Sequence, residues 1–217
     1  AKNQGPEQTC VLNYEDEVLR EQAKHLSAKV VFFSSLSKLE EGFYLEGDKI
    51  VYAHDGQIEE IISTDELNIL GRHNHENVMA AAAMALAYGV PLEVIRKVVC
   101  AFKAVEHRIE FVTEKNGVVY YNDSKGTNPD AAIQGIRAMT KPTILIGGGY
   151  DKQSEYDEWI ENFDGKVKAL VLIGQTRDKI AECARKHGFS NIILADTFEE
   201  AYNNVAFYLL FYNPLVL

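Results

Sequence analysis

The fold is decided by a stretch that alternates strand-like and helix-like segments: Val118-Val119-Tyr120-Tyr121-Asn122, then Pro129 to Met139, then Thr143-Ile144-Leu145-Ile146-Gly147-Gly148-Gly149. Ile109 to Thr113 is predicted to pair with the first segment as a hairpin. The same alternation continues with a helix over 155–163, a strand over 169–173, a helix over 177–187, a strand over 192–195 and a helix from about Phe198. Strands separated by helical segments indicate a mostly parallel sheet covered on both faces. We therefore predict a Rossmann-like α/β domain over residues 106–217.

The first half of the chain has a different rhythm. Short apolar runs predict strands at Thr9 to Leu12 and Val30 to Ser34, and Gly42 to Tyr52 alternates across a Gly-Asp turn, which predicts a hairpin. Two helices are expected, at His75 to Tyr88 and at Leu92 to Lys103, on either side of a Gly-Val-Pro break. These elements predict one side of a sheet followed by a helix pair. The chain is therefore expected to divide near residue 105, into 1–105 and 106–217.

Composition limits the class of protein. With 217 residues, 47% hydrophobic and 25% charged, the chain can bury a sizeable core. A net charge of -10 with no run of Lys or Arg argues against a nucleic-acid partner. The longest apolar stretch, Val205 to Phe211, is far shorter than the roughly 20 residues of a membrane span, so no membrane insertion is expected. Three widely spaced cysteines, Cys10, Cys100 and Cys183, show no C-x-x-C pair and favour a reducing cytoplasm.

The first candidate site is the polar loop Asn122-Asp123-Ser124-Lys125-Gly126-Thr127-Asn128-Pro129, which follows a strand and opens a helix. Asn128 is predicted to cap that helix and Pro129 to occupy its first turn. Asp123 suits a ribose hydroxyl or a metal, Lys125 a phosphate, and Thr127 a carboxylate. Free amides at the start of a helix also favour an anion. The alternative is a plain helix cap beside a solvated lysine, and the residues leave both interpretations open.

Two further motifs flank this loop. His107-Arg108-x-Glu110 stands at the predicted domain junction, where the Arg108 guanidinium suits a phosphate or a base, although an interdomain ion pair is the alternative. Gly147-Gly148-Gly149 ends an apolar strand without the spacing of a dinucleotide fingerprint, and such triplets are commonly tight turns. Lys152, just beyond, is a candidate for holding a carboxylate, with a solvated surface lysine as the alternative.

In the first half, Gly71-Arg72-His73-Asn74-His75-Glu76-Asn77 precedes the alanine-rich helix. Asn74 or Asn77 could present an amide to a base or a phosphate, and polar helix-capping residues are the alternative. His73, His75 and Glu76 suggest a metal, but the spacing is not H-E-x-x-H and no third ligand is evident. We therefore predict no metal-binding residue in the chain.

Taken in order, the Gly-x-His-Asn-x-x-Asn, His-Arg-x-Glu, Asn-Asp-Ser-Lys-x-Thr-Asn and Gly-Gly-x-x-x-Lys motifs resemble those of the Mur ligase family. The resemblance runs from Cys10 to about Glu200, and the Asn-Asp-Ser-Lys loop is most similar to that of members that add D-glutamate. It implies an ATP-dependent amide ligase of peptidoglycan synthesis. In such a ligase, ATP phosphorylates the carboxylate of UDP-N-acetylmuramoyl-L-alanine, and the amine of D-glutamate attacks the acyl phosphate. The resemblance also implies Mg²⁺ as a cofactor.

The resemblance assigns a role to each candidate residue. Lys125 corresponds to the catalytic lysine that reaches phosphate, and Thr127 and Lys152 to the positions that hold the carboxylates of D-glutamate. The residues that correspond to nucleotide-binding positions are Asn74, Asn77, His107, Arg108 and Asp123. Residues 1–105 then correspond to the later part of a central ATP-binding α/β domain, and residues 106–217 to the amino-acid-binding domain.

The same resemblance predicts that the chain is a fragment. The family's N-terminal domain, its phosphate-binding Gly-Lys-Ser/Thr loop and its carbamoylated lysine are expected before Ala1, so Lys2 is not the carbamoylated residue and the isolated chain is expected to be inactive. Tyr202 to Leu217 lacks the serine-containing loop that closes over D-glutamate, which suggests an altered or truncated end. Two alternatives remain. One is another Mur or folylpolyglutamate-type ligase, and the other is a non-catalytic module that binds a nucleotide or an acidic amino acid.

Overall fold

A computed structural model describes residues 3–212, except the side chains of residues 207, 208 and 210–212. The chain forms two compact units, Ala1–Lys103 and Ala104–Leu217. Two sequence predictions fall wholly or partly outside the described residues: the exclusion of Lys2 as the carbamoylated lysine, and the altered or truncated end over Tyr202 to Leu217. No helix within the described residues is long and apolar enough to cross a membrane.

The first unit contains one mixed sheet of five strands. The strands are β1 (Thr9–Asn13), β2 (Lys29–Ser34), β3 (Gly42–Glu46), β4 (Lys49–His54) and β5 (Gln57–Ser63). They lie in the order β1-β2-β3-β4-β5, with the first three parallel and the last two antiparallel to their neighbours. The predicted strands near residues 9 and 30 and the predicted hairpin at Gly42 to Tyr52 are confirmed. The strand β5 was missed because its first four residues, Gln57 to Glu60, are exposed and three of them are polar, so only its end shows an apolar pattern.

The helices of the first unit are α1 (Glu17–Ala23), α2 (Arg72–Ala87) and α3 (Leu92–Ala101). The helix α2 packs on β1, β2 and β3, and it buries Val78, Met79, Ala82 and Ala83. Small alanines permit this close approach of a helix to a sheet. The prediction that α2 begins at His75 was wrong by one turn, because Gly71, with a φ of 93°, takes the N-cap position. The short α1 was also missed.

The second unit opens with a hairpin and continues as a parallel α/β layer. Its strands are β6 (Glu110–Lys115), β7 (Val118–Asn122), β8 (Thr143–Gly148), β9 (Val167–Ile173) and β10 (Ile192–Leu194). Its helices are α4 (Pro129–Ala138), α5 (Asp157–Glu161), α6 (Arg177–Lys186) and α7 (Phe198–Tyr212). The strands β6 and β7 pair antiparallel, whereas β10, β9 and β8 form a parallel sheet in that order. The predicted α/β fold with a parallel sheet is confirmed, although α5 begins two residues later than expected.

Both faces of the parallel sheet are covered, as its sequence requires. Along β9, Leu170 and Leu172 pack with Trp159 and helices α4, α5 and α6, while Ala169 and Val171 pack with α7 on the other face. Side chains alternate between the two faces of a strand, so an uninterrupted apolar run is what a strand buried on both sides needs. The loops that follow β7 and β8 are held by this core.

Candidate functional site

The polar loop after β7 begins the helix α4 as predicted. Asn128 accepts a hydrogen bond through Oδ1 from the backbone N–H of Ala131 at 2.8 Å, and Pro129 occupies the first turn. An N-cap of this kind satisfies an amide that would otherwise lack a partner, and a proline at this point costs no hydrogen bond. The loop therefore has a fixed end, and Lys125 and Thr127 are exposed just before it.

Asp123 points inward rather than into solvent. Its Oδ1 accepts a hydrogen bond from the backbone N–H of Ile109 at 3.1 Å. Its Oδ2 stands only 2.8 Å from where a Cβ would lie on Gly126 and, equally, on Gly135. Burial raises the pKa of this carboxyl above its ordinary value, while the Ile109 amide and the charge of Arg108 act in the opposite direction. Asp123 thus ties together the loop, α4 and the segment that carries Arg108.

The segment 107–110 is joined to the same loop by further hydrogen bonds. The backbone N–H of Lys125 donates to the carbonyl of His107 at 2.9 Å, and Asn122 Nδ2 lies 2.9 Å from His107 Nδ1. The carboxylate of Glu110 accepts from the His107 backbone N–H at 2.8 Å. His107 and Ile109 have φ values of 69° and 46°, a left-handed conformation that costs free energy in residues other than glycine. These bonds hold the segment in that conformation.

The glycine loop after β8 brings Lys152 to the same place. Its Nζ donates to the carbonyl of Thr127 at 3.2 Å, which joins two segments 25 residues apart in sequence. The tight-turn interpretation of the glycine triplet holds for Gly148, where a Cβ would stand 2.0 Å from the carbonyl oxygen of Ile173. Beyond it, the Gly149 carbonyl accepts the backbone N–H of Thr176 at the start of α6. Packing and turn geometry therefore account for Gly148 without a ligand.

Together, these contacts make a site that contains both cationic and acidic side chains at the ends of β7 and β8. Arg108, Lys125 and Lys152 supply three cationic groups, and the one inward carboxylate, Asp123, is half-buried and already bonded. The carboxyl ends of strands in an α/β sheet are where such folds bind ligands. Guanidinium and ammonium groups suit phosphates and carboxylates. Among the described residues, no group of three His, Cys, Asp or Glu side chains able to hold a metal lies in these loops.

The asparagines of the first unit lie within α2 rather than before it, so the interpretation of Asn74 as a capping residue was wrong. Asn74 donates through Nδ2 to the carbonyl of Leu70 at 2.7 Å, and Asn77 donates to Asn74 Oδ1 at 3.4 Å. Nearby, Glu76 accepts a hydrogen bond from Ser35, and burial lowers the pKa of His75. The structure therefore brings Asn74 and Asn77 together on consecutive turns of one helix.

Two residues of the site were not picked out from the sequence. Asn122 was quoted as part of the loop, but its contact with His107 depends on a distant segment. Gly135 stands inside a helical pattern, where glycine costs about 1 kcal/mol relative to alanine. The glycine in a helical pattern was the available signal, because the missing side chain leaves space for a neighbouring group to approach the helix closely. Here the approach is that of Asp123.

Comparison with known proteins covers both units. The family model "Mur ligase middle domain" matches residues 1–85, and "Mur ligase, glutamate ligase domain" matches residues 107–210. Among curated relatives, the UDP-N-acetylmuramoylalanine--D-glutamate ligase of Lachnoclostridium phytofermentans is 54% identical over 200 residues, which cover 92% of this chain and 44% of that protein. The ligase of the same name from Clostridioides difficile is 45% identical with the same coverage. The chain spans less than half the length of these relatives.

Solved structures show the same fold at low sequence identity. A MurF from Acinetobacter baumannii has a TM-score of 0.66 at 19% identity, over 99% of this chain and 48% of that one. A folylpolyglutamate synthase from Thermotoga maritima has a TM-score of 0.55 at 21% identity, over 88% of this chain and 46% of the other. At this level of sequence identity, the similarity shows a shared fold alone.

Proposed function

The chain belongs to the Mur ligase family, and from this premise we propose that its protein is an ATP-dependent ligase joining D-glutamate to UDP-N-acetylmuramoyl-L-alanine. The contact that carries the proposal is that of Lys152 Nζ with the Thr127 carbonyl, 3.2 Å apart. It places an ammonium group and a hydroxyl-bearing residue together, from loops that follow two different strands. An ammonium group next to a threonine suits an amino acid with two carboxylates, as D-glutamate has, because ammonium and hydroxyl groups both donate hydrogen bonds.

The nucleotide side of the site rests on the segment 107–110 and the loop bonded to it. Arg108 and Lys125 would hold the phosphates of ATP, since the His107–Lys125 backbone bond keeps their two segments adjacent. Asp123 supports this arrangement through its bond to Ile109, directly after Arg108. For the first unit by itself, the family resemblance supports a nucleotide-binding role for Asn74 and Asn77, which lie in the opening turns of α2.

The proposed reaction has two steps. The carboxylate of the muramoyl-alanine substrate takes the terminal phosphoryl group of ATP, which gives an acyl phosphate and ADP. The amine of D-glutamate then attacks the acyl carbon, phosphate leaves, and the new amide nitrogen loses a proton to water. Lys125 and Arg108 offset the negative charge on the phosphoryl group as it transfers, and Lys152 with Thr127 orients the amine for attack.

Mg²⁺ is expected with ATP in such a reaction, but the described residues of the site do not form its ligand set. Asp123, the nearest carboxylate considered for this role, is directed toward Ile109, Gly126 and Gly135. The three cysteines, Cys10, Cys100 and Cys183, form no disulfide bond. Because free cysteines are typical of a reducing compartment, we propose that the reaction takes place in the cytoplasm.

The direct test uses the complete protein that contains this chain. It is incubated with ATP, UDP-N-acetylmuramoyl-L-alanine and one amino acid at a time, and phosphate release and product mass are measured. We expect a product larger by one glutamate residue with D-glutamate, and none with L-glutamate, L-lysine or D-alanine. Nucleotide binding without any product would favour a binding module, whereas a product with a different amino acid would favour another ligase of the family. Either result would refute the proposal.

A further inference from the structure

A second group of chemically reactive side chains lies on α5 and α6. Asp157 opens α5, Cys183 lies in the last turns of α6, and His187 directly follows that helix. One ligand atom from each, a carboxylate oxygen, the Sγ and an imidazole nitrogen, all lie within 4.8 Å of one another. No local sequence pattern indicates this group, because Asp157 is 26 residues from Cys183 in the chain.

The helical backbone fixes two of the three side chains on one face. Cys183 and His187 are four residues apart, and the His187 backbone N–H still donates to the Cys183 carbonyl at 3.2 Å. Residues at this spacing are neighbours on the surface of a helix. Cys183 is partly buried and the His187 side chain is 26% exposed, so neither swings freely in solvent.

His187 is oriented as a metal-binding imidazole would be. Its Nε2 faces Asp157 Oδ1 at 2.9 Å, within the group. Its other nitrogen, Nδ1, faces Glu161 Oε1 at 3.6 Å, outside the group. Histidines that bind metals commonly direct the second ring nitrogen toward a carboxylate, which fixes the ring and raises its basicity. Glu161 is placed for that supporting role.

We propose that Asp157, Cys183 and His187 bind a Zn²⁺ ion. One thiolate, one imidazole nitrogen and one carboxylate oxygen are the ligand types that zinc prefers, and a water molecule would complete four-coordination. When the ion binds, the Sγ–H bond of Cys183 breaks, the sulfur keeps the electron pair and bonds to zinc, and the proton goes to solvent.

The position of this site separates it from the ligase reaction. Thr176 at the start of α6 contacts the glycine loop, whereas Cys183 and His187 lie at the other end of that helix. A helix of 10 residues is about 15 Å long. The ion would therefore link α5 to the end of α6 and stabilise the second unit, without touching the substrates.

The test is a titration of the purified, metal-stripped chain with Co²⁺, which reports thiolate coordination by near-ultraviolet charge-transfer absorption. We expect the band to saturate at about one equivalent and to be abolished by added Zn²⁺, which binds such ligands more tightly. Cys183→Ser should abolish the band, and His187→Ala should weaken Co²⁺ binding at least about tenfold. Cys100→Ser, at another partly buried cysteine, is the matched control and should leave the titration unchanged.

A second pair of variants tests the supporting carboxylate. Glu161→Ala should weaken binding by about 10-fold or more, whereas Glu158→Ala on the same helix should have no effect. Unfolding midpoints measured without metal show whether each variant folds, and Zn²⁺ should raise the midpoint of the unaltered chain but not that of Cys183→Ser. Absence of the thiolate band in the unaltered chain, or a band that persists in Cys183→Ser, would overturn the proposal.

Discussion

Gly135→Ala provides a quantitative test of the contact between Asp123 and α4. In the middle of a helix, replacement of glycine by alanine ordinarily stabilises by about 1 kcal/mol. Here the new Cβ would stand 2.8 Å from Asp123 Oδ2, and both heavy atoms within 4 Å of it belong to Asp123. The carboxylate cannot retreat freely, because its Oδ1 is bonded to the Ile109 N–H at 3.1 Å. The variant therefore sets helix propensity against a buried hydrogen bond.

The balance of the two terms gives the expected sign. A hydrogen bond to a charged group contributes about 1.5–3 kcal/mol, so its loss outweighs the gain in helix propensity and leaves a net destabilisation of about 0.5–2 kcal/mol. With a urea m-value of about 2 kcal/mol/M, the unfolding midpoint should fall by about 0.3–1 M. Trp159, the single tryptophan, is buried in the second unit and reports its unfolding by fluorescence.

The control is the same substitution in an Asp123→Ala background. Without the carboxylate, Gly135→Ala should raise the midpoint by about 0.5 M, the ordinary effect of helix propensity. The difference between the two backgrounds measures the coupling of the residues. A midpoint that rises by the same amount in both backgrounds would refute the proposed contact.

Three other substitutions in the second unit test its loops by urea unfolding. Asp123→Asn should stabilise the second unit at neutral pH, because burial disfavours the charged form of the Asp123 carboxyl. The folded-state pKa of Asp123 is raised above 3.8, so this gain in stability should shrink as the pH falls from the folded-state pKa through 3.8. A gain in stability that grows on acidification would contradict this prediction. Asn128→Ala should cost about 1 kcal/mol through loss of the cap, and no change would count against it. Gly148→Ala should lower the free energy of unfolding by at least about 2 kcal/mol more than Gly149→Ala does. Both glycines have a positive φ, but only at Gly148 would a Cβ meet the Ile173 carbonyl. Equal losses of stability in the two variants would refute that contact.

The features predicted well from sequence depend on neighbours in the chain. Asn128 and Pro129 define a helix start through bonds within three residues, and the apolar run of β9 predicts a strand buried on both faces without knowledge of its partners. The strand β5 lacks such a signal, because its first four residues are exposed and three of them are polar. Its place is set by pairing with β4.

The site was harder to predict because its decisive contacts are long-range. The type of residue at Asp123 suggested a ligand, but its orientation depends on the Ile109 amide and on the space left by Gly135. The approach of Lys152 to Thr127 likewise depends on how β8 is placed relative to β7, which no local pattern specifies. The roles assigned to these residues through the family resemblance stay predictions.

The central claim is that Lys152 and Thr127 hold the incoming amino acid, and the most direct test is the kinetics of Lys152→Ala in the complete protein. Loss of a charge-assisted contact of about 1.5–3 kcal/mol predicts that the KM for D-glutamate rises about tenfold or more, while the KM for ATP changes by less than about twofold. Lys141→Ala, an exposed lysine outside the loops, serves as the control and should change neither constant. Equal effects of Lys152→Ala on both substrates would contradict the account.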